Sequence, residues 1–279
     1  MRHSLIAFTA LGFAFIVGDA ALAADLPIEP PIYQLPVRAR AYSWTGFYFG
    51  GNVGGAWGHS TNPTTVSGGY FDAAEALAVN AVGAQVTKSS GYIAGGQAGF
   101  NWQAGGFLAG VEADFNYFGL RGSSAVSGIY PSRAPAGFQI TTSISTDWLA
   151  TFRGRFGFVW DNWLFFGTGG VAFASLRGDF AFSDNCGTVG GCPIAASAIE
   201  AISLSETRVG YAVGAGIEAG FASQWTIKAE YLFVSFGNIT GVGSITTPAI
   251  ALAASNSFTH DFDLQSHILR LGVNYLFAL

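Results

Sequence analysis

Between Trp44 and Phe277 the chain alternates with a period of two, in eight amphipathic segments joined in turn by very short and very long connections. One parity carries Phe, Trp, Val, Ile, Leu and Ala; the other carries Gly, Gln, Asn and the few charges. No segment is apolar throughout for the roughly 20 residues that a membrane helix needs. Strands with one lipid-facing side span a bilayer only when the sheet closes on itself, because an open edge would leave backbone groups unsatisfied. The pattern predicts an all-β fold, an eight-stranded antiparallel up-and-down transmembrane β-barrel of the bacterial cell outer membrane.

Composition agrees with a lipid-covered exterior. The 279 residues are 50% hydrophobic and 10% charged, against about 25% charged in soluble domains. Such a chain in water would expose large apolar patches. A soluble eight-stranded barrel would hold its aromatic residues inside and its charges outside; here the parity is reversed. The 39 Gly suit tight turns and a crowded interior.

Residues 1–23 have the form of a cleaved signal peptide: Arg2 and His3, an apolar run from Leu5 to Val17, and Ala21-Leu22-Ala23 as the cleavage site. The run is short for a membrane span. Cleavage removes one base, Arg2, and one acid, Asp19, so the formal net charge stays at -5. That mild acidity argues against nucleic acid as a partner. Residues 24–43, with Pro27, Pro30, Pro31 and Pro36, read as a periplasmic linker before a barrel over 44–279. Cys186 and Cys192, the only cysteines, lie on a Gly-rich loop and are expected to form a disulfide in an exported protein. Without a nearby His or third Cys they make a poor metal site.

The strands are expected near 44–58, 90–103, 107–118, 147–159, 163–174, 207–221, 225–236 and 266–277. The turns Ala104-Gly105-Gly106, Asp161-Asn162 and Ala222-Ser223-Gln224 are short, whereas the connections near 59–89, 119–146, 175–206 and 237–265 are long. Outer-membrane barrels show this asymmetry, with short turns in the periplasm and long loops outside. Trp44, Trp102, Trp148, Trp160, Trp163 and Trp225 fall near strand ends, where an aromatic girdle meets the headgroups.

ADLP at the mature start, WTGFYFGGNVGGAWG, GGQAGFNWQ, GVEADFNYFG, TFRGRFGFVWDNWLFFGTGGVAFA, VGYAVGAGIEAGFASQWTIKAEYLFVSFG and LRLGVNYLF together resemble the small outer-membrane barrels of alphaproteobacteria. That family includes RopB-type proteins, major surface antigens and hemin-binding surface proteins. The resemblance covers every expected strand but not the loops. It implies contact with outer-membrane lipid and lipopolysaccharide, and insertion by the barrel-assembly machinery. Such barrels usually end on an aromatic residue, whereas here Ala278-Leu279 follows Phe277.

The inward parity carries four acids, Glu112, Asp114, Glu218 and Glu230, and four bases, Arg153, Arg155, Lys228 and Arg270. Eight strands leave an interior only wide enough for side chains to fill, so these charges are expected to pair as a plug. A narrow porin-like ion pathway between the same groups is the alternative. His59 and His260 in the long loops, with Asp261 and Asp263 beside the latter, are candidates for rim catalysis. With Tyr70 or Tyr130 they are candidates for heme or metal capture, as the hemin-binding relatives suggest. His267 reads as an interfacial residue. No nucleophile motif accompanies these residues, so neither enzyme activity nor a cofactor is expected. The expected role is structural, supporting the envelope and displaying surface loops to a host or neighbouring surface protein.

Overall fold

The computed structural model describes residues 42–189, 192, 196–246 and 256–278. The expected signal peptide, nearly all of the linker and Leu279 lie outside the described residues. The strands are β1 (Gly46–Ser67), β2 (Ala84–Ala104), β3 (Phe107–Phe118), β4 (Arg121–Ile129), β5 (Gly137–Trp160), β6 (Trp163–Asp184), β7 (Ile199–Gly220), β8 (Trp225–Gly243) and β9 (Ser257–Ala278). Helix α1 (Ala73–Gly83) and the single turn α2 (Cys186–Val189) complete the described elements.

Every pairing is antiparallel, and β9 returns to β1 in a register running from Gly46↔Ala278 to His59↔Gln265. β3 and β4 both lie between β2 and β5. They are two halves of one wall strand, so nine strands occupy eight positions in a closed ring. The break falls at Gly119-Leu120, where Thr146 Oγ1 donates to Phe118 O at 2.6 Å and accepts from Leu120 N at 3.2 Å. Beside it β5 shifts register between Thr146 and Leu149. β8 has a second shift between Ser235 and Asn238, with Gly237 at φ 68°. Each bulge changes which parity faces inward.

The wall is much taller than the alternation predicts. The 22 residues of β6 extend roughly 70 Å and, tilted as in such barrels, rise about 55 Å, some twice an apolar band of ~25 Å. About half or more of each stretch expected as a long loop, near 59–89, 119–146, 175–206 and 237–265, continues the wall as strand, and the first also holds α1.

The reason is a reversal of polarity along each strand. In β6, Phe165, Val171 and Phe173 face out below, whereas Phe180 and Phe182 face in above, with Arg177 and Ser183 outside. β9 repeats this: Leu269, Leu271 and Val273 are outward in the lower half, and Phe258, Phe262 and Leu264 are inward in the upper half. Where the outer face meets lipid, it is apolar and the lumen polar. Where it meets water, the lumen is mainly an apolar core, which also encloses buried polar groups such as Asn62, Thr64, Glu200 and His260.

The interior is therefore layered. Trp44, Leu108, Val159, Leu164 and Phe166 form an apolar floor at the periplasmic end. Trp44 is fully buried there, which corrects its expected place in the girdle; it precedes β1 and folds into the barrel mouth. Trp102, Trp160, Trp163 and Trp225 are exposed on the outside. Above the floor comes the charged layer, then a large apolar cluster around Phe118, Phe180, Leu232, Phe262 and Ile268. A second cluster under α1 includes Tyr70, Phe138, Phe182 and Phe258.

Phe262→Ala should therefore lower unfolding stability by about 3–5 kcal/mol as a core truncation. Gln265→Ala, on the water-facing wall of the same strand, should stay within about 0.5 kcal/mol of the parent. Urea unfolding of the refolded barrel in lipid vesicles measures both. A gel shift between heated and unheated detergent samples should accompany the folded state.

Candidate functional site

The charged layer joins side chains from every quarter of the ring. Glu112 and Asp114 project from β3, Arg153 and Arg155 from β5, Glu218 from β7, Lys228 and Glu230 from β8, and Arg270 from β9. Period-two spacing within each strand gives each set one inward direction. All eight are buried.

Arg153 is the hub. Its Nη2 lies 2.5 Å from Glu112 Oε1 and 2.9 Å from Asp114 Oδ2, and its Nη1 lies 2.8 Å from Glu230 Oε1. Its Nε donates to Thr151 Oγ1 at 2.8 Å. Arg270 Nη2 bridges Asp114 at 2.9 Å and Glu230 at 2.6 Å, and Lys228 Nζ reaches Glu112 Oε2 at 2.8 Å. Arg155 Nη2 pairs with Glu218 Oε2 at 2.8 Å. Four acids thus meet four bases with charge-assisted geometry, the condition under which buried ions are tolerated.

Neutral groups complete the network. Tyr48 Oη donates to Glu112 Oε2 at 2.8 Å and accepts from Arg155 Nη1 at 2.9 Å. Glu218 Oε1 accepts from Thr226 Oγ1 at 2.5 Å and Asn274 Nδ2 at 2.8 Å. Gln97 Nε2 donates to Asn274 Oδ1 and Asn52 Nδ2 to Gln97 Oε1, each at 2.7 Å. The alternation gives the inward direction of these residues; their partners require the ring. Glycine supplies the room: a Cβ at Gly99 would strike the Tyr48 ring, and one at Gly170 would strike the β5 backbone at Arg153.

At the extracellular end, Asp184 ties three connections together. Its Oδ2 accepts from Tyr70 Oη at 2.7 Å and Tyr130 Oη at 3.3 Å. Its Oδ1 accepts from Cys186 N at 3.2 Å and Ala198 N at 2.7 Å, on either side of the Cys186–Cys192 disulfide. Helix α1 opens with a capping box, Asp72 accepting from Glu75 N and the Glu75 side chain accepting from Asp72 N. Glu75 also turns inward to Arg133, whose Nε lies 2.8 Å from Glu75 Oε1. The Arg133 guanidinium sits 5.0 Å over the Tyr70 ring and 5.4 Å over that of Tyr130. Burial, reinforced by the Asp184 carboxylate, pushes both phenols well above their usual value of 10.0. Both remain neutral donors, so their contribution is intact below the ordinary phenol pKa and fades as pH rises through their raised folded values.

The histidine candidates do not converge. His59 is exposed on the outer wall of β1, whereas His260 is fully buried inside β9. His260 Nδ1 lies 2.9 Å from Thr64 Oγ1 and Nε2 lies 3.4 Å from Glu200 Oε1, with its ring stacked on Phe180 at 4.7 Å. Asp261 and Asp263 alternate to the outer face, away from it. These positions were expected in loops; as strand residues they are sorted to opposite faces of the wall. Tyr70 and Tyr130 are occupied by Asp184. His267 faces out at the upper girdle, its Nδ1 2.6 Å from Tyr231 Oη.

Residues 20–277 match the family described as outer membrane protein beta-barrel domain. The chain belongs to the outer membrane protein β-barrel family. It is 30% identical to the 31 kDa outer-membrane immunogenic protein of Brucella melitensis over 99% of this chain and 100% of that protein. It is 29% identical to the 22 kDa outer membrane protein of Rhizobium leguminosarum over 87% of this chain and 82% of that one. Among solved structures it is similar to OprG from Pseudomonas aeruginosa (12% identity, TM-score 0.40, 85% of this chain and 99% of that one). It is also similar to the protease OmpT from Escherichia coli (8% identity, TM-score 0.40, 86% and 99%). As a member of the outer membrane protein β-barrel family it resides in the bacterial outer membrane, its apolar wall in contact with lipid.

Arg153→Met should destabilise this outer membrane barrel by about 3–5 kcal/mol, because Glu112, Asp114 and Glu230 would be left with too little positive charge. Combining it with Asp114→Asn should cost less than the two single changes together. A double-mutant cycle by urea unfolding measures the coupling.

Proposed function

We propose that the protein is a closed structural barrel that supports the envelope and displays one tied-together cap at the cell surface, without conducting ions or catalysing a reaction. The observation that carries this is the layered lumen, in which a charge-balanced layer is held between an apolar floor and an apolar upper core. An ion crossing it would have to break several buried, charge-assisted pairs and then traverse close-packed aromatic residues. The cap supports the display role. Asp184 holds Tyr70, Tyr130 and the disulfide loop in one arrangement, so a host or neighbouring surface protein would meet a defined surface. The Brucella relative is by name immunogenic, which fits surface display. Insertion by the barrel-assembly machinery belongs to the same proposal.

Single-channel recording of the refolded protein in a planar bilayer tests it, and a silent bilayer with insertion verified is the expected result. Discrete steps that change when Arg153 or Glu112 is neutralised would replace the plugged barrel with a wet pore. For the cap, Asp184→Ala should increase protease cleavage of the extracellular segments while leaving the heat-dependent gel shift intact. Cleavage at the parental rate would mean that Asp184 does not hold the cap together.

A further inference from the structure

Above the membrane the wall is not laddered all the way round. The ladder between β7 and β8 runs from Gly220↔Thr226 only to Tyr211↔Ser235. Beyond that point β7 stays paired with β6 as far as Ile199, and β8 with β9 as far as Gly243. Among the described residues the next hydrogen bond across this seam is at the top, where Thr246 N donates to Ile199 O at 2.9 Å. β2 and β4 also share only a short ladder, Ser89↔Gly122 and Ser90↔Arg121. That second seam is sealed. Thr87 Oγ1 lies 2.8 Å from Ser124 Oγ, which donates to Gln85 Oε1 at 2.7 Å, and α1 packs beside it against β1 and β4.

The seam beside β7 begins where the wall bends. The register shift between Ser235 and Asn238, with Gly237 at φ 68°, turns β8 away from its neighbour. Gly210 marks the base, where a Cβ would strike Ser235 O. Higher up, Leu204 leans against Gly241 and Glu200 against Gly243, whose missing Cβ atoms make the room. Between these levels the wall has a gap. Glu206 and Arg208 share the inward parity of Glu218, since the ladder between β6 and β7 has no shift. Their side chains are nevertheless 51% and 33% exposed, against 3% for Glu218. Tyr211 and Phe233, exposed with their rings 6.1 Å apart, belong to the aromatic girdle below, so the gap faces water.

Backbone parity gives this edge its chemistry. Alternate residues of an antiparallel strand direct N–H and C=O to opposite sides. Ile199 O points toward β8, so Ala201, Ser203, Ser205 and Thr207 direct theirs into the seam, while Leu204 and Glu206 direct theirs to β6. The four seam residues carry small, exposed side chains. Neither Pro nor Lys, the usual guards of a free edge, lies between Ile199 and Gly210.

We propose that this edge of β7 receives an extended polypeptide segment of another surface or secreted protein as an added strand. Donors and acceptors repeating at every second residue match a polypeptide backbone. Side chains of the added strand that point inward would meet Ile202 and Leu204, which pack on the upper apolar core, and lower down Glu206 and Arg208. A second copy in the same membrane does not fit. Its β7 would tilt the opposite way, and strands inclined at about 40° would cross at about 80°.

The test is residue-resolved amide hydrogen exchange of the refolded full-length barrel, with and without a soluble peptide of four Val-Thr repeats between terminal lysines. Without peptide, Ser203, Ser205 and Thr207 should exchange faster than Leu204 and Glu206. Equally slow exchange would mean an edge already paired and would overturn the proposal. The peptide should slow exchange at the three seam residues by about tenfold, the worth of one or two neutral hydrogen bonds. The same peptide with every amide N-methylated should have no effect. Ser205→Pro removes a seam-side donor while leaving the ladder to β6 intact, and should weaken the peptide's effect by about tenfold. No slowing by the peptide, slowing on β8 alone, or an unaltered response in Ser205→Pro would each sink the assignment. Should Ser205→Pro lose its heat-dependent gel shift, the methylated peptide decides on the parent protein, where slowing equal to that by the plain peptide would mean adsorption through side chains and defeat the proposal.

Discussion

A guanidinium in the middle of a membrane barrel is tolerated only if its charge is answered on the spot, and Arg153 is answered by carboxylates from β3 and β8. Much else depends on that arrangement. Glu112 must also satisfy Lys228 and Tyr48, and Asp114 and Glu230 must also satisfy Arg270. Each side chain therefore fixes the position of a strand distant in sequence. The closed ring provides backbone hydrogen bonds all round, while the charged layer sets how the walls face one another across the lumen. Exchanging both partners of one pair for apolar groups would be tolerated far better than removing a single partner, because the penalty lies in the charge left behind.

A second constraint is the change of medium along the barrel axis. The same strand passes from lipid to water, and its two faces exchange roles as it does so. Below, lipid covers Phe165 and Leu271 while the lumen holds ions; above, the lumen holds Phe180 and Phe262 while Arg177 and Asp261 meet water. The bulges at Asp147-Trp148 and Phe236-Gly237 lie close to this boundary. A register shift there exchanges faces without requiring the sequence itself to change phase.

The upper core also explains how the surface connections are ordered. Connections with few charges and many small residues have little intrinsic structure. Here they are tied to an apolar foundation through a few polar groups: Asp184 holds two phenols and two amides, and Glu75 holds Arg133. The outside of the molecule is therefore set by contacts inside it.

The alternation by itself determined the strand order, the inward direction of all eight lumen charges, and the lipid-facing identity of residues such as Phe115, Phe156 and Leu271. Those features follow from local geometry, because neighbouring side chains on a strand must point to opposite faces. The quoted motifs likewise carried the family. Only the tertiary structure decided the height of the wall, the break of the third wall strand at Gly119-Leu120, the burial of Trp44 and His260, and the role of Asp184. Alternation marks two faces but does not say which medium each face meets, so the polar outer surface above the membrane looked like loop. Pairings such as Arg153 with Glu230, or Tyr70 with Asp184, join residues far apart in the chain. Ring closure and register bring them together, and neither is written in any local stretch of sequence.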